Sequence, residues 1–131
     1  MTKVLIVDDN ENFRKGLKAV LNNMEQAEII GEASNGNEFL EILSKNEVDL
    51  VFMDVKMPFL DGINATIKAK QANPNIAIFA FSSYENDEYK KSMIEAGADG
   101  YLCKSHDNYE LLNHIIRNPK ACKSLLNKTN Y

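Results

Sequence analysis

Unbroken apolar runs and stretches with apolar residues three and four positions apart alternate five times along this chain. Residues 4–7, 50–53 and 76–81 are apolar without polar interruption, which predicts strands covered on both faces. Residues 28–33, broken by Gly31, and the short run 101–103 supply two more strands. Between them the unbroken runs give way to a helical spacing of about 3.6. Asn10 can cap a helix that buries Phe13, Leu17, Val20, Leu21 and Met24. Asn35 with Glu38 makes a capping box ahead of Phe39, Leu40, Ile42 and Leu43. A third helix is expected over 63–72, ending before Asn73-Pro74. A fourth opens at Asn86, carries Tyr89, Met93 and Ile94, and ends at Gly97. The last is capped by Asp107 with Glu110, holds Leu111, Leu112, Ile115 and Ile116, and stops at Pro119.

Five strands, each followed by a helix, predict an α/β fold. Right-handed crossovers then place helices on both faces of a doubly wound parallel sheet, the flavodoxin-like (βα)5 arrangement with strand order 2-1-3-4-5. Residues 1–118 read as one domain. Residues 119–131, with Lys120, Lys123 and Lys128 around Cys122, Leu125 and Leu126, read as a tail: either a frayed turn or the start of a linker. A formal charge of -4 argues against direct nucleic-acid binding by this segment, which would need a basic face. Cys103 and Cys122 are far apart with no ligand cluster beside them, so neither a disulfide framework nor a zinc site is expected. No apolar run reaches spanning length and no cleavage site follows the first strand, so the expectation is a cytoplasmic protein without a membrane segment.

The chemistry gathers at strand ends. The third strand delivers Asp54 to the carboxyl edge of the sheet, where open α/β sheets bind ligands, and Met57-Pro58 and Asp61-Gly62 then turn the chain away. On the same edge the first strand ends at Asp8-Asp9, the fourth at Ser82-Ser83 and the fifth at Lys104. Three crowded carboxylates repel one another, and a hard divalent cation with oxygen ligands relieves them, Mg²⁺ more readily than zinc or calcium. A metal with a lysine and a hydroxyl opposite is what a phosphoryl group needs for charge neutralisation, and one carboxylate can serve as nucleophile to give an aspartyl phosphate.

These residues, with Val-Lys-Met-Pro after Asp54, Asp61-Gly62 and Tyr101, give residues 1–118 a resemblance to the receiver domain of a two-component response regulator. Gly31-Glu-Ala-Ser-Asn-Gly36 and Ala96-Gly-Ala-Asp-Gly-Tyr-Leu102 further resemble receivers of the NarL/LuxR type, which are joined to helix-turn-helix transcription factors. The resemblance implies that Asp54 accepts a phosphoryl group from a sensor histidine kinase or phosphotransfer protein. Asp8, Asp9, Asp54 and the backbone carbonyl of Lys56 would hold Mg²⁺, and Lys104 would contact the phosphoryl group. Ser82 would move to bond it, vacating space into which Tyr101 turns. It further implies a signalling switch that catalyses only its own phosphorylation, from phosphohistidine or small acyl phosphates, and its own dephosphorylation. The changed surface would be the fourth helix, fifth strand and fifth helix, including Tyr89, Ile94 and Tyr101, with a homodimer among its options.

Three positions depart from the family pattern or tune it. Ser105 stands after Lys104 where most receivers have proline, so that loop is expected to be trans and more mobile. Lys56 and Tyr84 occupy positions that in this family tune phosphate lifetime. A cation at Lys56 could pair with a phosphoryl oxygen, and the Tyr84 ring could exclude attacking water, predicting slow loss. A phosphohydrolase of the haloacid dehalogenase type would want a second aspartate where Lys56 stands. A flavin or nucleotide module would want a glycine- or hydroxyl-rich loop where Asp8-Asp9 stands.

Overall fold

The computed structural model describes residues 1–83, 87–105 and 107–120. In chain order the elements are β1 (Thr2–Val7), α1 (Glu11–Asn22), β2 (Ala27–Ala33), α2 (Gly36–Lys45), β3 (Leu50–Asp54), α3 (Gly62–Ala72), β4 (Ala77–Ser82), α4 (Asp87–Ala96), β5 (Gly100–Cys103) and α5 (Tyr109–Arg117). All strand pairings are parallel, in the order β2-β1-β3-β4-β5, as the alternation of periods predicts.

The uninterrupted apolar strands divide their residues between two cores. Leu5, Val7, Val51, Met53, Ile78 and Ala80 point to one face, where Phe39 of α2, Ala65 and Ala69 of α3 and Met93 of α4 cover them. Val4, Ile6, Leu50, Phe52, Phe79 and Phe81 point to the other, against Leu17 and Leu21 of α1 and Leu112, Ile115 and Ile116 of α5. Each residue pair along a strand therefore serves both layers, and there is no solvent face to demand a polar alternate.

Element ends show where local chemistry differs from the expectation. Asn10 caps α1 by accepting the Phe13 N–H at 3.1 Å, and Asn35 caps α2 by accepting the Glu38 N–H at 2.9 Å. Glu38 reciprocates one residue earlier than a capping box requires, accepting the Ser34 N–H at 2.8 Å. Asp61, expected only as a turn residue, is the cap of α3 and accepts the Asn64 N–H at 2.8 Å. At α5 the N-cap position falls on Asn108, whose side chain makes no capping bond and donates instead to the Cys103 carbonyl at 2.9 Å; Asp107, one residue before, accepts the Tyr109 N–H at 3.1 Å. Asn86, the expected start of α4, lies outside the described residues. Gly97 ends that helix at φ 113°, a conformation that glycine adopts without steric cost. Gly31 does not break β2. The strand continues, and its register with β1 shifts between Val4↔Ile29 and Leu5↔Gly31, a bulge that accommodates one extra residue.

One close approach fixes the loop after β3. A Cβ on Gly62 would overlap the carbonyl oxygen of Asp54, so only glycine lets α3 start directly behind the acid.

Candidate functional site

The carboxyl ends of β1, β3, β4 and β5 place Asp8, Asp54, Ser82 and Lys104 around one depression in the sheet edge. Asp8 and Ser82 are 1% exposed and Asp54 is 7% exposed, whereas Asp9 is exposed at the mouth. Burial of two carboxylates at the end of apolar strands is costly without partners. Asp8 has them. Its Oδ1 accepts the Asn10 N–H at 2.8 Å, its Oδ2 stands 2.6 Å from Lys104 Nζ, and its backbone carbonyl accepts from Arg14 Nη1 at 2.6 Å. The Oδ2 contact lies outside hydrogen-bond geometry, so Asp8 and Lys104 meet as an ion pair. Arg14 is held in turn by Glu32 of β2, at 3.0 Å from its Nε.

Asp54 is less well compensated. Lys104 Nζ is 3.6 Å from its Oδ1, and oxygen atoms of Asp8, Asp9 and Asp54 all lie within 4.8 Å of one another. Burial, followed by the charge of Asp8, pushes the Asp54 carboxyl up to about 7. Lys104 opposes the rise, and Asp9 adds to it. A carboxylate so placed gains from any cation brought to the rim. The all-oxygen donor set suits a hard divalent ion, and the three acids could hold one. Asp9, Asn10, Asp54, Lys56, Ser82, Ser83 and Lys104 line a pocket of about 230 Å³ at this point.

The remaining sequence-predicted residues fall as follows. The Tyr101 ring is already inside the core and 6% exposed, and its phenol hydrogen bonds to the Ser82 side chain. Burial raises its pKa, and the Ser82 bond acts against that rise. It is thus not a surface residue; Tyr89 and Ile94 on α4 are half-buried. Lys56 is exposed, with Nζ 5.6 Å from the centroid of the Tyr89 ring, so its charge bridges the β3–α3 loop to α4. Tyr84 lies outside the described residues. Lys104 and Ser105 lie in a turn after β5, and no cis peptide bond occurs among the described residues.

Two residues of α1 reach the site beyond those expected. Phe13, read from its spacing as a core residue, places its ring 4.3 Å from Lys104 Nζ. Arg14 was hidden among the charged positions of an amphipathic helix. The signal for it is its place one turn after the acidic pair, facing the loop that carries them.

Residues 4–116 match the family model described as the response regulator receiver domain. Response regulator GacA of Pseudomonas syringae pv. syringae (strain B728a) is 35% identical over 115 residues, covering 88% of this chain and 54% of that protein. The chemotaxis protein CheY of Halobacterium salinarum is 38% identical over 113 residues, covering 86% of this chain and 92% of that protein. Thus the chain spans about half the length of GacA and nearly all of CheY. Among solved structures, a LuxR-family two-component response regulator from Aurantimonas sp. SI85-9A1 superposes with a TM-score of 0.84 at 28% identity, over 92% of this chain and 86% of that one. Among the described residues no helix is long and apolar enough to cross a membrane. With its parallel sheet in the order 2-1-3-4-5 and its strand ends converging on one acidic pocket, the chain belongs to the response regulator receiver domains, the signalling switches of two-component systems.

Proposed function

We propose that Asp54 is the phosphoacceptor of this receiver and that residues 1–118 form its switching unit, followed by a tail or linker from 119. The observation that carries the reading is the crowding of acids at the rim: oxygen atoms of three carboxylates lie within 4.8 Å of one another, and Lys104 stands beside two of them, Asp8 and Asp54. Asp8, Asp9, Asp54 and the Lys56 carbonyl would hold Mg²⁺, which when bound supplies positive charge to the phosphoryl oxygens and to Asp54. In the transfer itself an Asp54 oxygen attacks phosphorus. A new P–O bond forms as the P–N bond to a kinase or phosphotransfer histidine breaks, the imidazole nitrogen keeping its electron pair. With a small acyl phosphate the P–O bond to the acyl group breaks and the carboxylate leaves. Lys104 then neutralises a phosphoryl oxygen, as its place 3.6 Å from Asp54 allows.

The Ser82–Tyr101 bond supports a specific switch. A serine hydroxyl has one hydrogen to donate and two lone pairs to accept with. Ser82 can therefore accept from the inward Tyr101 phenol and donate to a phosphoryl group on Asp54 in the same arrangement. Phosphorylation would select that arrangement from an existing equilibrium and stabilise the face formed by α4, β5 and α5. Self-association or effector binding through that face is the output, in the cytoplasm. In relatives of about twice this length a DNA-binding domain would be the effector. Lys56 and Tyr84 would set phosphate lifetime, and Lys56→Ala or Tyr84→Ala would shorten it.

Incubation with acetyl phosphate and Mg²⁺, followed by intact-mass measurement, tests the core of the reading. One phosphoryl group should appear on the protein, be lost on EDTA pre-treatment, and be absent from Asp54→Asn. Phosphorylation of Asp54→Asn at the wild-type rate would overturn it.

A further inference from the structure

An ammonium on a four-carbon stem has many directions open to it, so the aim of Lys104 needs a physical cause. Its Nζ stands 2.6 Å from Asp8 Oδ2, 3.6 Å from Asp54 Oδ1 and 4.3 Å from the centroid of Phe13. Phe13 is itself fixed. Its N–H donates to the Asn10 cap at 3.1 Å, its ring meets Phe81 edge-on at 5.3 Å, and Phe81 meets Phe52 at 5.6 Å. A row of rings rooted in the α1–α5 core thus ends in a π face beneath the lysine. The Lys104 side chain is 13% exposed, and partial desolvation is the condition under which cation–π attraction exceeds its surface value.

We propose that Phe13 is a positioning residue for phosphoryl transfer, its ring keeping the Lys104 ammonium beside Asp54 when a divalent ion takes Asp8 out of the ion pair. The proposal rests on the phosphoacceptor reading above. Asp8 cannot serve two cations equally. Oδ1 already accepts the Asn10 N–H, and Oδ2 is the oxygen that Lys104 faces. A divalent ion on Oδ2 repels an ammonium at that distance and frees it to turn to solvent. The Phe13 ring neither ionises nor competes for the metal, so it retains the ammonium in both states. Arg14, next in the chain, holds the Asp8 carbonyl at 2.6 Å, so one turn of α1 steadies both halves of the pair.

Phe13→Leu keeps an apolar filler and removes the π face; Phe13→Met is a second such replacement, and Phe13→Tyr restores the ring. In Mg²⁺-loaded protein the Lys104 Hε protons should show an upfield ring-current shift that both apolar variants lose and Phe13→Tyr keeps. Phosphorylation by acetyl phosphate at saturating Mg²⁺ should slow on the order of tenfold in the apolar variants and recover with tyrosine. Mg²⁺ affinity should stay within about twofold, since a cation–π contact is no metal ligand. Wild-type rates in folded Phe13→Leu and Phe13→Met, or an unshifted Lys104 Hε in the wild type, would overturn the inference. Asp54→Asn serves as the control: if it too is phosphorylated, the acceptor reading fails; if it is inert while Phe13→Leu reacts normally, only the role of Phe13 fails.

Discussion

Replacing Asp54 with asparagine should stabilise the metal-free protein at neutral and alkaline pH, although it removes the residue the site is built around. The folded state holds the Asp54 carboxyl at about 7 against an ordinary 3.8, through burial first and then the charge of Asp8. Below about pH 4 folded and unfolded chains are both protonated at this position, and the residue contributes nothing to pH dependence. As pH rises from there to about 7, the unfolded chain releases its proton while the folded one retains it, so stability falls. Above the folded pKa the penalty is constant. Each pKa unit is worth about 1.4 kcal/mol, so the shift sets a ceiling of roughly 4 kcal/mol. Solvent reaching the open rim lowers the expected gain to about 2 kcal/mol. Asparagine keeps the shape and never ionises. Urea denaturation of both proteins in EDTA, from about pH 4 to about pH 8, should show curves that coincide at the acid end and separate toward the alkaline end. A gap that does not vary with pH, or a variant less stable than the wild type at pH of about 8, would refute the assignment of the penalty to Asp54.

Other perturbations carry equally definite expectations. Saturating Mg²⁺ should raise the midpoint of thermal unfolding of the wild type by mass action and raise that of Asp54→Asn less, as differential scanning fluorimetry would record. Lys104→Met leaves Asp8 buried without its counter-ion and should cost about 3 kcal/mol in urea denaturation near neutral pH. Phe59 holds φ at 68° while its side chain is 88% exposed, so Phe59→Gly removes left-handed strain without losing core contacts. It should stabilise by about 0.5–1 kcal/mol in the same assay, the strain relieved exceeding the entropy of glycine. Gly62→Ala should destabilise by more than about 2 kcal/mol, because its methyl would overlap the Asp54 carbonyl.

The strands are legible in the chain because enclosure on both faces leaves an unbroken apolar signature, as at 50–53 and 76–81. The acidic rim is legible for a related reason: a parallel sheet brings every strand end to one edge, so Asp8, Asp54, Ser82 and Lys104 need no further information to converge. Helix ends are harder to read. Asp107 and Asn108 are both residue types that cap helices, and they divide the work at α5: Asp107 accepts the Tyr109 N–H, while the Asn108 amide turns away to the Cys103 carbonyl, a partner distant from any local pattern. The bulge opposite Val4 and Leu5 depends on pairing with another strand, which composition at Gly31 can suggest but not direct. Phe13 shows the same limit at the site. Its spacing on α1 announces burial, and nothing in that spacing tells which cation lies over the ring.

Because all five residues of β3 are buried and consecutive ones face opposite layers, no position on the central strand is free to drift without disturbing one layer or the other. Divergence between such domains is therefore pushed outward, onto helices and connecting loops. A cell holding many of them can keep a common reactive centre while each acquires a separate outer skin. In this chain the large apolar side chain most open to solvent among the described residues is Phe59, 88% exposed in the loop after β3 and well away from the enclosed sheet.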